Sequence, residues 1–236
     1  MTRNISVIGI GKLGLCFALT LEKQGYKVVG VDVSEAYIQK VNDKTLNSPE
    51  PGMENDLTQS KNLTGTTDIK DGLDHSDILF LFVATPSLPD GRYDHSQIDR
   101  VVQQLAQNAF PSETKHLIIG CTTMPGYCEI VQDRLQSYGY TVSYNPEFIA
   151  QGSVMEDLVN PDILLIGEGS QNAGEEILDI YSSILKSTPT IHRMSRKEAE
   201  ITKIALNCFL TTKIAYANMV GDIAKSSGCS PDIILD

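Results

Sequence analysis

Short apolar runs alternate with stretches of helical period through the first three quarters of the chain. Ile5–Gly9, Lys27–Asp32, Ile78–Ala84, Leu117–Gly120, Thr141–Tyr144 and Ile163–Gly167 read as strands. Between them, helical spacing covers Leu13–Lys23, a segment after Ser34, Gln97–Ala109, Tyr127–Tyr138 and Ala173–Lys186. Ser34, with Glu35 behind it, is a good N-cap because its hydroxyl can accept an otherwise unpaired amide of the first turn. The segment Ile78–Val83 is apolar at every position, as expected of a central parallel strand buried on both faces. The repeated strand–helix–strand order predicts an α/β fold, a doubly wound parallel sheet of Rossmann type, over residues 1–194.

From Ser195 the period changes to one long helix, roughly Lys197–Lys225, with no Gly or Pro before Gly221. Ile201, Ile204, Leu206, Phe209, Leu210, Ile214, Tyr216 and Met219 cover most of its circumference, and a helix apolar nearly all round is a largely buried helix. Residues 195–236 are therefore expected to begin a central helical domain whose second side meets a further domain or another subunit. A homodimer through the helix at 197–225 is the expectation. The chain stops at Ile233-Ile234-Leu235-Asp236, inside an apolar pattern and without a C-cap, which suggests truncation of that domain.

Charge narrows the function classes. The 236 residues carry 19 Lys+Arg against 30 Asp+Glu, a net charge of −11. An acidic surface repels nucleic acid and anionic membrane, so neither is expected as a partner, although one pocket can still hold an anionic small molecule. The longest apolar run, Ile78–Ala84, is too short to cross a bilayer, and Met1-Thr2-Arg3-Asn4 has no signal-peptide character. Cys16, Cys121, Cys128, Cys208 and Cys229 contain no Cys-x-x-Cys pair and read as reduced thiols of a cytoplasmic protein, with no metal expected.

The strongest local chemistry is Gly9-Ile10-Gly11-Lys12-Leu13-Gly14, directly after the first strand and opening a helix. In such a turn the first Gly makes the tight bend, the second admits a pyrophosphate close to backbone, and the third lets the helix pack closely. The helix N-terminus adds unpaired amides and partial positive charge. Asp32 ends the second strand, 32 − 14 = 18 positions after Gly14, where a carboxylate can accept hydrogen bonds from both ribose hydroxyls. The next residues, Val33-Ser34-Glu35, offer no cation for a 2′-phosphate, so the cofactor expected is NAD. A tight structural turn, with Asp32 as a helix cap, is the bland alternative.

Ligands of such sheets bind at the carboxyl ends of the strands. There stand Thr85-Pro86-Ser87, Cys121-Thr122-Thr123-Met124-Pro125-Gly126 and Asn145-Pro146-Glu147-Phe148, each an ordinary turn by itself but expected to converge on the Gly9–Gly14 edge. On the long helix Lys203 and Asn207 are spaced i, i+4, with Glu200 one turn earlier on the same face. An ammonium and an amide stacked this way can grip a substrate hydroxyl and stabilise charge on its oxygen. A polar stripe with no chemical role is the equal alternative.

Taken as a set, these segments resemble the UDP-glucose/GDP-mannose dehydrogenase family. The resemblance rests on Val7–Leu15, Ser48-Pro49-Glu50-Pro51-Gly52, Thr85-Pro86, Asp90-Gly91-Arg92-Tyr93-Asp94, Cys121–Gly126, Asn145–Phe148, and Ala199–Lys203 with Asn207 and Phe209. It implies oxidation of a nucleotide-sugar substrate at its primary C6 alcohol to a uronic acid, with NAD used twice, as in surface polysaccharide synthesis. By the same resemblance Gly9–Gly14, Asp32, Thr85, Pro86 and Thr122 would contact the cofactor. Thr122 would also position the catalytic water or carboxylate, Glu147 would activate water for hydrolysis of an enzyme thioester, and Lys203 and Asn207 would hold the reacting oxygen.

The chain departs from that pattern at three places. Gln151 stands where the family has a second Glu, and Pro161-Asp162-Ile163 lacks the family's Arg. The family's nucleophilic cysteine, in Gly-x-Cys-Phe-Pro-Lys-Asp, is expected beyond position 236, so this chain alone is expected to be inactive. Two other functions fit the same residues: a one-step β-hydroxyacid-type NAD dehydrogenase, and a non-catalytic NAD-binding module.

Overall fold

The computed structural model describes residues 3–108, 114–149 and 152–235. Among them, eight strands form one sheet: β1 (Asn4–Ile8), β2 (Lys27–Val31), β3 (Leu63–Thr66), β4 (Ile78–Leu81), β5 (Lys115–Ile119), β6 (Tyr140–Tyr144), β7 (Ile163–Glu168) and β8 (Thr190–Ser195). Their order is β3-β2-β1-β4-β5-β6-β7-β8. It reverses between β1 and β4, the position at which a doubly wound sheet opens a crevice at its carboxyl edge. The helices are α1 (Lys12–Lys23), α2 (Glu35–Asn42), α3 (Met53–Gln59), α4 (Ile69–His75), α5 (Ser96–Gln107), α6 (Tyr127–Leu135), α7 (Val154–Val159), α8 (Gln171–Ile184), α9 (Arg196–Ser226) and α10 (Pro231–Leu235). Ala109, expected to end α5, lies outside the described residues, as does Gln151.

Strand periodicity divides the core between the two faces of the sheet. In β4, Phe80 points to one side, against Phe17 of α1 with ring centroids 4.7 Å apart, while Leu79 and Leu81 point to the other. Both sets are buried, which is why β4 has no polar position. Each such side chain contributes about 1.5–3 kcal/mol on leaving water. On α1 the run Gly14–Leu21 is buried throughout, which holds the glycine turn rigidly over the sheet.

Strands β1 to β6 are parallel, but β7 is antiparallel to β6 through Tyr144 and Gly167, and β8 runs parallel to β7. The expected doubly wound parallel sheet is found, with one departure: β7 reverses direction. The apolar run Ile163–Ile166 reports burial on both faces and says nothing of direction. Strand β8, Thr190-Ile-His-Arg-Met-Ser, is largely exposed at the sheet edge and has no apolar run to betray it.

The chain divides into two compact units, Met1–Glu200 and Ile201–Asp236, and α9 contributes to both. In the second unit a turn at Ser227–Gly228, where the Cys229 amide donates to Ala224 at 2.9 Å, leads into α10. Burial of the long helix is not achieved within this chain: Phe209 is 58% and Tyr216 64% exposed, and Leu210, Ile214 and Met219 are about half exposed or more. From Ile201 onward α9 is accompanied in its unit by the short α10, which offers too little partner surface to cover an apolar circumference.

Candidate cofactor and active site

The turn after β1 is built from glycines because nothing larger fits. Gly9 has φ +85°, and a Cβ there would stand 2.3 Å from the Phe82 carbonyl oxygen. Its amide donates to Val31 at 2.7 Å and pins the turn to β2. A Cβ on Gly14 would be 2.1 Å from the Gly9 carbonyl oxygen, so α1 can start against the turn only without one. At Gly11 a Cβ would meet nothing within 4 Å, because that position faces the open crevice. Ile10 is fully buried, with its side chain against Gly30, and Leu13 packs on the core. Ile10 can therefore face a ligand only with its backbone, whereas Leu13 is partly exposed.

Between β1 and β4 lies a cleft of about 480 Å³ that includes Gly9, Gly11, Asp32, Val33, Ala84 and Arg100 in its walls. Asp32 is half-buried at its edge, and one carboxylate oxygen accepts the Ser34 amide at 3.1 Å. The cap of α2 is Ser34 itself, whose hydroxyl accepts from the Tyr37 amide at 3.3 Å. Burial, and then the Asp32 charge, push the Tyr37 hydroxyl up to about 12, so it stays protonated beside that carboxylate. A tight glycine cradle, a helix N-terminus, an acidic residue at the end of β2 and an apolar wall together suit a dinucleotide. NAD is the cofactor these residues fit. Thr85 is half-buried and Pro86 exposed on the chain following Ala84; both stand outside the walls of this cleft.

The Lys12 side chain turns away along α1 to meet Glu50, with Nζ 3.2 Å from Oε1. Glu50 is almost wholly buried, and its carboxylate also accepts the Gly152 amide at 3.0 Å and the Val154 amide at 3.3 Å. The Gly152 amide first, with Lys12 and Val154 adding to it, holds this carboxyl below the usual range despite burial.

The ladder continues past β4, β5 and β6: Phe82, Gly120 and Asn145 donate to Ile8, Leu81 and Ile119 at 2.8, 2.9 and 2.9 Å. The three strand-end loops accordingly leave from one edge, beside the glycine turn. Thr122 is half-buried in the second of them, and its neighbour Thr123 is fully buried. Thr123 donates to Glu200 Oε1 at 2.8 Å, and the amides of Gly126 and Cys128 donate to the same carboxylate at 2.5 and 2.9 Å. Glu200 is wholly buried and sits at the N-terminus of α6, where a negative charge complements the unpaired amides. The Met124 amide donates to His95 Nε2 at 3.2 Å, and His95 stacks on Tyr127 at 3.8 Å. An amide donor at Nε2 requires that nitrogen to be unprotonated.

Glu147 is half-buried in the third loop and accepts a hydrogen bond from the Tyr181 hydroxyl of α8. Burial, and then the Glu147 charge, push that hydroxyl well above its ordinary range, so the proton stays on Tyr181 and the carboxylate accepts. Asn145 beside it is buried and donates to Leu165 at 3.0 Å. Lys203 and Asn207 stand one turn apart on α9, in the unit Ile201–Asp236.

Of the residues singled out from the sequence, Gly9, Gly11 and Asp32 come together in the cleft, while Thr122 and Glu147 occupy neighbouring loops at the same sheet edge. Glu50, His95, Thr123 and Tyr181 were not singled out as site residues. Two of them carried a local signal: Glu50, a carboxylate between two prolines, and Thr123, inside the Cys121–Gly126 segment. Among the described residues, burial pushes the thiols of Cys16 and Cys121 up to about 12 and that of Cys128 well above its usual range, so none of the three is a ready thiolate. No group of three or more His, Cys, Asp or Glu among the described residues is placed to hold a metal, and none of their helices is long and apolar enough to cross a membrane.

Comparison with known proteins agrees with this geometry. The NAD binding domain of the UDP-glucose/GDP-mannose dehydrogenase family matches residues 3–185, and the central domain of that family matches residues 197–236. The chain is 30% identical to GDP-mannose 6-dehydrogenase of Pseudomonas aeruginosa over 99% of its own length and 56% of that protein's. It is 29% identical to UDP-glucose 6-dehydrogenase of the same organism, over 95% of this chain and 52% of that protein. The crystal structure of a ternary complex of GDP-mannose dehydrogenase from Pseudomonas aeruginosa matches 98% of this chain and 55% of its own, with a TM-score of 0.91 at 30% identity. A UDP-glucose dehydrogenase from Pyrobaculum islandicum matches 99% of this chain and 56% of its own, with a TM-score of 0.89 at 28% identity. The chain spans about half the length of the curated relatives it matches.

Proposed function

Because this chain belongs to the UDP-glucose/GDP-mannose dehydrogenase family, we propose that it supplies the NAD-binding part, residues 1–194, and the start of the central domain, residues 195–236, of a nucleotide-sugar 6-dehydrogenase. The substrate is a UDP- or GDP-sugar whose C6 alcohol is carried to the carboxylate. NAD in the cleft would take hydride from the sugar carbon. The chain's own residues bind and orient. The glycine turn and the first amides of α1 receive the diphosphate, and Asp32 receives the ribose hydroxyls. Thr122, held by the anchoring of its neighbour Thr123 on Glu200, positions the reacting group beside the cofactor.

Glu147 carries the chemistry of water. With its carboxylate accepting the Tyr181 hydroxyl, it can take a proton from water attacking an acyl intermediate. Lys203 and Asn207 would hold the reacting oxygen as negative charge develops on it. The thiol that would form a thioester is not among Cys16, Cys121 and Cys128, whose burial keeps them protonated. By the resemblance that thiol stands in a Gly-x-Cys-Phe-Pro-Lys-Asp context, which neither the exposed Cys208 nor the exposed Cys229 has, and the 236-residue chain by itself is read as inactive. The exposed apolar residues of α9, Phe209, Ile214 and Tyr216 among them, are read as a dimer surface, and the protein as cytoplasmic.

The observation that carries this reading is the convergence of the Gly9–Gly14 cradle, Asp32, the Thr122 loop and the Glu147 loop on one sheet edge. The experiment is to count NADH formed per UDP-glucose or GDP-mannose consumed by the full natural polypeptide that contains these residues. Two equivalents support the proposal. One equivalent with a β-hydroxy acid supports the one-step dehydrogenase, and NAD binding without turnover supports a non-catalytic module. Lys203→Ala should sharply lower the rate in the first two cases and change nothing in the third.

A further inference from the structure

Glu50 is more expensive than its local structure requires. A carboxylate taken almost wholly out of water persists only when it is paired and hydrogen-bonded. Its contacts with the Gly152 and Val154 amides, at 3.0 and 3.3 Å, cap the start of α7. That task alone calls for no charge: a neutral Asn, Ser or Thr caps a helix as well. The remaining contact is to Lys12, at 3.2 Å, and Lys12 belongs to the glycine turn that receives the diphosphate. Gly152 lies 152 − 147 = 5 residues after Glu147. The loop presenting Glu50 is itself braced, since Ser48 Oγ accepts the Glu50 amide at 3.1 Å and the Ser48 amide donates to Glu54 at 2.7 Å.

We propose that Glu50 is a positioning residue that joins the phosphate turn to the start of α7, its carboxylate clamped between the Lys12 ammonium and the amides of Gly152, five residues after Glu147 in sequence, and Val154. A diphosphate arriving at the N-terminus of α1 attracts the Lys12 ammonium. Glu50 cannot follow that movement without loosening Gly152 and Val154, so the state of the cofactor turn is felt where α7 begins. The inference rests on the reading of Glu147 as a reacting group for its catalytic meaning. The mechanical link stands on the contacts alone.

Hydrogen–deuterium exchange on the 236-residue chain, with and without NAD, tests the link, and calorimetry on the same samples verifies binding. Exchange at the Gly152 and Val154 amides is expected to change several-fold when NAD binds. In Lys12→Met, which leaves the backbone amides of the turn in place, NAD is raised to the concentration that calorimetry shows to saturate the weakened site, and the change at Gly152 and Val154 is then expected to disappear. Glu50→Gln keeps an acceptor for the two amides but loses the ion pair, and should behave likewise. An NAD response at Gly152 and Val154 that is absent in the natural sequence, or that survives in Lys12→Met, overturns the proposal. Absence of NAD binding overturns it together with the cofactor assignment. Full turnover by Glu147→Gln in the complete polypeptide would remove the catalytic reading of Glu147 and leave the exchange result as it stands.

Discussion

Glu200, fully buried, accepts a hydrogen bond from Thr123 across 77 positions of sequence, at 2.8 Å. With the amides of Gly126 and Cys128 on the same carboxylate, that contact binds the first turn of α9 to the loop of Thr122. Glu200→Ala would remove the acceptor of two buried donors, the Thr123 hydroxyl and the Cys128 amide, and of the part-buried Gly126 amide. We expect a loss of about 2–6 kcal/mol in urea unfolding, from about 1–3 kcal/mol for each buried donor left unpaired. Glu200→Gln, which keeps the shape and loses the charge, should cost less. A loss below about 1 kcal/mol for the alanine variant would show that the loop does not depend on this anchor.

Gly14→Ala places a methyl 2.1 Å from a backbone oxygen that cannot rotate away. The start of α1 must shift from the Gly9 turn, at a cost of about 1–3 kcal/mol. NAD affinity measured by calorimetry should fall with stability. A loss of stability without a loss of affinity would mean that the turn does not receive the diphosphate.

Asp32→Ala should weaken NAD binding by about tenfold or more, the equivalent of losing hydrogen bonds to a charged acceptor. Because Ser34 caps α2, the fold should change little. Titration of both proteins with NAD checks this, and equal affinities would refute the assignment of Asp32.

His95 predicts a pH dependence. Burial pulls its pKa below the ordinary 6.5, against the raising influence of Asp99, Glu200 and Asp94. Above pH 6.5 the ring is neutral in folded and unfolded chains alike, and Nε2 accepts the Met124 amide. Below 6.5 the unfolded chain takes a proton first, so stability falls as pH drops towards the lowered folded value and levels off beneath it. Thermal melts across that window should show the slope, and His95→Gln should remove it. An identical slope in the variant would assign it to other groups.

The first β–α–β unit was legible because its signals are local: the Ile5–Ile8 strand, the glycine turn, the buried band of α1 and the Ser34 cap each lie within a few residues. What depended on distant partners was not legible. Glu200 could be placed on one helix face with Lys203 and Asn207, but its partner Thr123 belongs to another element. Tyr181 orients Glu147 from 34 positions away, and its own helix pattern marks it only as core. The polar, exposed β8 and the short β3 carry no apolar run, and the direction of β7 depends on pairing that composition does not encode.

The reversal at β7 sets the heading of the chain that follows. In a wholly parallel sheet each strand delivers its end to the cofactor edge, and the next helix immediately retreats from it. Here β8 ends level with the middle of β6, where Arg196 donates to the Val142 carbonyl at 2.9 Å. One turn later the same helix has advanced to the carboxyl edge, bringing Glu200 to Gly126 and Cys128. A single change of strand direction thus turns a helix that would have led away from the carboxyl edge into one that approaches it.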